Sequence, residues 1–149
     1  MIKYYLKKKN YRQSKYLAFK ALNNNHNSID ILELISIIYY KTKYYDDSIK
    51  FYDQILDFKE NIPWRIWKGY IKCLIDAKRW SNLLKISLKA KKLFPNKAFI
   101  DFTISGCLLK RGKLNEAIYF FQSGNKVCRI PTKLIKSFPE FTKNKTLLV

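Results

Sequence analysis

The sequence predicts an all-α protein built of antiparallel helix pairs, and three observations support this fold class. Four segments of similar pattern open with an aromatic or apolar residue at spacings of 34, 35 and 34 residues, at Tyr11, Tyr45, Trp80 and Leu114. Small or apolar residues follow three, seven and ten positions later, on one helical face that a neighbouring helix can approach closely. Further helical patterns lie between these segments, and no stretch alternates as a half-buried strand does.

The elements follow in order along the chain. The recurring segments predict the second helix of each pair, over residues 10–22, 44–56, 79–91 and 113–125. Apolar residues at helical spacing predict first helices over residues 29–42, 64–77 and 98–110. Short polar turns separate the helices, and Asn10 and Gly112 both suit a left-handed turn residue before a second helix.

The last segment of the chain departs from this pattern. Pro131 and Pro139 bracket a short predicted helix over residues 132–138, which would cap the last exposed face of the array. Residues 140–149 are expected to be mobile. We therefore expect a helical repeat domain over residues 1–128, followed by a C-terminal cap and flexible tail over residues 129–149.

A period near 34 residues with two helices per unit resembles the tetratricopeptide repeat (TPR). That family has a Trp-x-x-Leu-Gly-x-x-Tyr first helix, then a second helix with spaced Ala, aromatic and Ala residues. The last repeat matches it with Ser105, Gly112, Ala117 and Phe121, and the third repeat has Trp67 at the family's Trp site. The resemblance implies an α-solenoid of about three and a half repeats, in which the chain begins midway along the first helix of the first repeat.

The resemblance also implies a concave groove lined by the first helix of each unit, where the family binds its ligands. The residues aligned with this groove change from acidic through basic to apolar along the array: Asp30, Glu33, Ile37 and Tyr40; Arg65, Lys68 and Lys72; then Phe99, Phe102 and Leu109. Glu33 and Ile37 stand where the family's terminal-carboxylate mode needs Lys and Asn, so that mode is not expected.

The apolar end of the groove has two candidate occupants. A partner's extended peptide or amphipathic helix could lie there with its apolar side chains. Alternatively, the chain's own segment with Leu134, Ile135 and Phe138 could fold back into it. The sequence leaves both interpretations open.

The charge also has two explanations. Thirty Lys and Arg residues against eleven Asp and Glu give a formal charge of +19, and 25 of the thirty are Lys. An A/T-rich genome raises lysine in any gene, whereas selection for planar recognition of phosphates or bases favours arginine. A chain with this charge is expected to bind nucleic acid nonspecifically at low salt, and Arg65, Lys68 and Lys72 form one stripe that could contribute.

The sequence offers few candidate catalytic or metal-ligating residues, so we expect that the protein is not an enzyme and binds no cofactor or metal. His26, the only histidine, lies in a polar loop, and Asp46 with Asp47 opens a helix, where carboxylates meet the positive end of its dipole. Cys73 and Cys107 occupy equivalent sites of successive units, about 9–10 Å apart and too far for a disulfide. We expect free thiols in a reducing, cytoplasmic setting, since the chain has neither a secretory signal nor a run of ~18 apolar residues.

These observations favour a non-catalytic module that binds a peptide or helix of another protein, as an adaptor, chaperone or assembly factor. A basic helical-repeat protein that binds RNA or another polyanion is the first alternative. The second is a structural subunit of a larger complex, in which another chain completes the repeat array. The partner, the oligomeric state and the source organism stay open.

Overall fold

The chain is all-α, as predicted. A computed structural model describes residues 1–25, 28–58 and 60–148, and these ranges contain helices and turns but no strand. The chain forms two compact units, Met1–Ala77 and Lys78–Val149. The first unit will be called unit 1 and the second unit 2.

Unit 1 contains five helices within its described residues: α1 (Ile2–Lys7), α2 (Tyr11–Asn25), α3 (Ile29–Lys41), α4 (Tyr45–Leu56) and α5 (Trp64–Asp76). The pairs α1–α2 and α3–α4 pack side by side, and α3 also contacts α2 and α5. Ala18, Ile35 and Ile38 form a buried cluster between α2 and α3, with the rings of Phe19 and Phe51 packed against it. The small side chain at Ala18 is what allows α2 this close approach.

Aromatic contacts between α4 and α5 position the second of these helices. The rings of Tyr52 and Tyr70 stack with centroids 5.1 Å apart. Tyr70 Oη donates a hydrogen bond to Asp53 Oδ1 at 2.5 Å. Burial, followed by the hydrogen bond and charge of Asp53, raises the pKa of Tyr70, so the phenol stays a donor. Trp67, at the Trp site of the repeat pattern, is buried on the same helix.

Unit 2 contains six described helices: α6 (Trp80–Leu93), α7 (Ala98–Lys110), α8 (Leu114–Asn125), α9 (Thr132–Ser137), α10 (Glu140–Lys143) and α11 (Lys145–Leu148). Helix α7 lies at the centre, in contact with α6, α8 and α10. The flexible tail expected after residue 139 is replaced by α10 and α11, in which Phe141 and Leu147 are buried. These two helices pack on α7 and α8, so the C-terminal segment belongs to unit 2.

The backbone repeats the period found in the sequence. Among the residues that the structure describes, four have positive φ, at spacings of 34, 35 and 34 residues: Lys9 (56°), Lys43 (64°), Lys78 (55°) and Gly112 (71°). The prediction for Gly112 is therefore confirmed. The prediction for Asn10 is wrong, because Lys9 takes the left-handed conformation. Asn10 Oδ1 instead accepts a hydrogen bond from the Gln13 N–H at 3.2 Å, as an N-cap residue does.

A hydroxyl links the two helices of a pair in each unit. In unit 1, Ser48 Oγ of α4 donates to the Ser36 carbonyl of α3 at 2.8 Å. In unit 2, Ser105 Oγ of α7 donates to the Ala117 carbonyl of α8 at 2.7 Å. Both links join positions 12 residues apart, but the hydroxyl comes from opposite helices. Such a bond requires small residues at the contact, since the two backbones must come within one side chain's reach.

Candidate functional site

An ion-pair cluster joins the N-terminal ends of α3 and α5 in unit 1. Arg65 Nη2 lies 2.9 Å from Glu33 Oε2, and Arg65 Nε lies 3.1 Å from Glu33 Oε1, so the guanidinium holds the carboxylate through two bonds. Asp30 Oδ1 lies 3.4 Å from the same Nη2. The hydrogen bonds and charge of Glu33 raise the pKa of Arg65. Arg65 is thus oriented by α3, and its charge is matched there.

A second link joins the C-terminal ends of the same helices. Tyr40 Oη donates to Asp76 Oδ2 at 2.5 Å, and the Tyr40 ring lies beside Tyr45 with centroids 6.0 Å apart. Burial and then the hydrogen bond to Asp76 raise the pKa of Tyr40, so the proton stays in place at ordinary pH. Because α3 and α5 are joined at both ends, they run in the same direction.

The structure therefore brings together all seven residues predicted in unit 1. Ile37 is half-buried on α3, and Lys68 and Lys72 are exposed on α5. On each helix the residues recur at helical spacing between the two links. We call this surface the α3–α5 face; it comprises Asp30, Glu33, Ile37, Tyr40, Arg65, Lys68, Lys72 and Asp76. Three carboxylates and three cations lie on it, so the face is electrically balanced.

The predicted groove residues of unit 2 are placed differently. Phe102 is 0% exposed and Leu109 is 9% exposed, so the expectation that they line an open groove is wrong. The Phe102 ring packs against Phe121 with centroids 5.3 Å apart. It also lies over Gly124, where a Cβ atom would be 3.0 Å from the ring. Phe102 is therefore a core residue, and Phe99 beside it is half-buried.

The chain's own C-terminal segment covers α7. Phe138 is fully buried, with its ring centroid 5.3 Å from that of Trp80 and 5.9 Å from that of Phe141. The ring rests on Gly106, where a Cβ atom would be only 2.5 Å away. Leu134 is buried and Ile135 is half-buried. The sequence left two candidate occupants open, and in the structure the chain's own segment is the one that covers α7.

A charged contact holds this segment in place, and the sequence interpretation missed it. Lys110 Nζ lies 2.8 Å from Glu140 Oε1 and 4.4 Å from the centroid of the Trp80 ring. Partial burial alone would raise the pKa of Glu140, but the hydrogen bond from Lys110 and the nearby charges lower it overall. A single acidic residue in an otherwise basic C-terminal segment was the available signal.

Solved structures resemble the chain over almost its whole length. YrrB, a TPR protein with an unusual peptide-binding site, is 13% identical, with a TM-score of 0.78 over 99% of this chain and 77% of its own. MamA is 11% identical, with a TM-score of 0.80 over 99% of this chain and 85% of its own. A double mutant of MamA RS-1 is 13% identical, with a TM-score of 0.78 and coverage of 99% and 90%.

The chain has the TPR fold. No protein-family model and no curated protein matches its sequence. At these identities the likeness establishes the TPR fold alone, since one fold hosts many unrelated functions. Within it, α3–α4 and α7–α8 are the helix pairs of the second and fourth repeats.

The described part of this TPR chain holds no cluster of three or more His, Cys, Asp or Glu residues that could bind a metal. His26 lies outside the described residues. Cys73 and Cys107 are buried free thiols, and burial raises their pKa values to about 11 and about 12, whereas Cys128 is exposed. Asp46 and Asp47 lie in the first turn of α4. Every helix in the described part of the chain is too short or too polar to cross a bilayer.

Proposed function

We propose that the protein is a non-catalytic interaction module that binds a peptide or helix of another protein on the α3–α5 face. The charge balance of this face carries the proposal. In a chain with a net charge of +19, three of the eleven acidic residues lie on this one face, beside three cations. A surface for nonspecific binding of polyanions would not hold carboxylates there.

The geometry of the face suits a peptide. Arg65 and Tyr40 are fixed by their carboxylate partners, so the surface between them is preorganised and little side-chain entropy is lost on binding. Ile37 offers an apolar contact at the middle of α3, and the lysines of α5 offer contacts for carboxylates or carbonyls of a partner.

The other groove positions predicted from the sequence support this choice of site. In unit 2 the equivalent helix is covered by Phe138 and Phe141, which leaves no open apolar groove on α7. YrrB, which has the same fold, has a peptide-binding site. An adaptor or chaperone role in the cytoplasm is the form of this activity that we propose, because the free thiols suit a reducing compartment.

The test is affinity capture from native lysate, with nuclease treatment and washes at low and high salt, followed by mass spectrometry. Lys68→Glu/Lys72→Glu is compared with Lys85→Glu/Lys89→Glu, which changes two exposed lysines of α6 at the same spacing. We expect a protein partner that survives nuclease and salt, is lost with the α5 variant and is kept with the α6 variant. Capture that requires nucleic acid, or equal loss with both variants, would refute the proposal.

A further inference from the structure

A second surface, on α2, has a composition unlike that of the α3–α5 face. Its residues line an open depression of about 580 Å³ in unit 1. They recur at helical spacing over more than three turns, a length of about 18 Å. We call this surface the α2 stripe; it comprises Arg12, Lys15 and Lys20, the rings of Tyr16 and Phe19, and the amides of Asn23 and Asn24.

The α2 stripe lies in a segment without acidic residues. Residues 1–29 contain seven Lys and Arg and no Asp or Glu, whereas residues 30–77 contain seven basic and eight acidic residues. Codon bias raises lysine along a whole gene and gives no reason for this division within one compact unit. The concentration of positive charge on α1 and α2 therefore indicates a polyanionic ligand.

Aromatic rings are interleaved with these cations. Tyr16 is 61% exposed, although its ring is large and apolar. Phe19 beside it is anchored edge-on to Tyr39 and Phe51, with centroids 6.3 and 6.0 Å away. Lys15 Nζ lies 4.6 Å from the centroid of the Tyr39 ring. An exposed ring beside cations, as Tyr16 is, suits base stacking next to a phosphate backbone.

We propose that the α2 stripe binds single-stranded nucleic acid. Arg12, Lys15 and Lys20 contact phosphates, and Tyr16 stacks on an unpaired base. The asparagine amides at the end of the stripe can donate to and accept from base edges. A duplex would keep its bases away from Tyr16, so single strands are favoured.

An anionic membrane surface fits the same residues less well. A helix that lies in a bilayer interface inserts a broad apolar face. On α2, Ala18 and Leu22 pack in the core of unit 1, and the described residues that line the stripe include no Ala, Val, Leu or Ile. The α2 stripe and the α3–α5 face share no residue, so either proposal can fail without the other.

The test measures fluorescence anisotropy of a labelled, mixed-sequence RNA of about 12 nucleotides, titrated with the full chain at several salt concentrations. Tyr16→Ala is compared with Tyr119→Ala, which removes a ring that is 69% exposed in unit 2. We expect the first variant to weaken binding about tenfold and the second to leave it unchanged. Circular dichroism confirms that both variants remain helical.

The cations are tested by the salt dependence of the same binding. Arg12→Gln/Lys20→Gln is expected to reduce the slope of log affinity against log salt by about 1.4, the contribution of two phosphate contacts on a single strand. Lys85→Gln/Lys89→Gln, on α6, is the matched control and should leave the slope unchanged.

Three results would overturn the proposal. The first is an equal effect of the two tyrosine variants. The second is displacement of the RNA by duplex DNA as effectively as by unlabelled single strands at equal phosphate concentration. The third is binding to phosphatidylserine vesicles that Tyr16→Ala weakens while RNA binding is unaffected.

Discussion

At the scale of single residues, three of the four turns between paired helices hold a lysine in a backbone conformation suited to glycine. Lys9, Lys43 and Lys78 have φ between 55° and 64°, and Gly112 has the same conformation at the fourth turn. For a residue with a Cβ atom this conformation costs about 1–2 kcal/mol. A Cβ atom at Gly112 would meet nothing within 4 Å, so the cost there is one of backbone conformation alone.

Replacing one of these lysines by glycine should stabilise the protein. For Lys43→Gly we expect the free energy of unfolding to rise by about 1 kcal/mol, since relief of strain outweighs the greater freedom of glycine in the unfolded chain. Lys50→Gly, at an exposed position within α4, is the control and should lower it by about 1 kcal/mol. Urea unfolding measures both; a loss of stability with Lys43→Gly would mean that the turn carries no strain.

The location of these turns could be predicted from the sequence more accurately than the residue that takes the left-handed conformation in each. Asparagine favours both the left-handed conformation and the N-cap position, and in the structure Asn10 takes the second. Lysine has no preference that would have singled out Lys9. Gly112 was predictable, because its lack of a Cβ atom matches the requirement of the turn.

At the scale of helices, the surroundings of α7 explain why the groove predicted in unit 2 is absent. Alignment to a repeat assigns Phe102 by its position in an ideal unit, where that position is open. Helix α7 carries apolar residues around its whole circumference, and nearly every residue from Ala98 to Leu109 is buried, Asp101, Thr103 and Ser105 included. A helix that is hydrophobic all round is a buried helix. That signal was present in the sequence, whereas the docking of Phe138 depends on packing that no local pattern encodes.

The contact between Gly106 and Phe138 can be tested by a double-mutant cycle. Gly106→Ala should lower the free energy of unfolding by about 1–3 kcal/mol, because the new methyl group overlaps the Phe138 ring. In a Phe138→Ala background the same substitution should be neutral or stabilising by up to about 1 kcal/mol, from the better helix propensity of alanine. Urea unfolding of the four proteins gives the coupling. An equal effect in both backgrounds would show that the ring does not rest on Gly106.

At the scale of the whole molecule, positive charge is distributed unevenly. Unit 2 contains 16 basic and three acidic residues. Each of the three carboxylates already lies near a lysine: Asp101 2.7 Å from Lys91, Glu140 2.8 Å from Lys110, and Glu116 3.7 Å from Lys113. Sixteen basic against three acidic residues leave an excess of positive charge, and the repulsion within it opposes the compact state.

Salt should therefore stabilise the protein. Raising the sodium chloride concentration from about 20 mM to about 300 mM shortens the Debye length to less than about 10 Å, and we expect the melting temperature to rise by a few degrees. Sucrose at equal osmolality controls for effects unrelated to charge. A melting temperature that is constant or falls with salt would contradict the expectation, and would indicate that ion pairs outweigh repulsion.

The fold class could be predicted from the sequence because each repeat shows the same local pattern, and the constant spacing of these patterns defines the whole array. The α3–α5 face was also within reach, since Asp30 and Arg65 lie 35 residues apart, one repeat, and equivalent positions of successive first helices are neighbours. Glu33 accepts more hydrogen bonds from the Arg65 guanidinium than Asp30 does. That preference depends on side-chain packing, which the repeat period does not specify.

The serine hydroxyls that link paired helices bear on how diverged repeats are recognised. Compared one position at a time, Ser48 and Ala117 are a mismatch, and the second and fourth repeats share no hydroxyl at that position. Compared as pairs of positions, Ser36 with Ser48 and Ser105 with Ala117 each provide one hydroxyl and one carbonyl at the same helix contact. A search that scores what two positions supply jointly would detect kinship that a column-by-column profile misses.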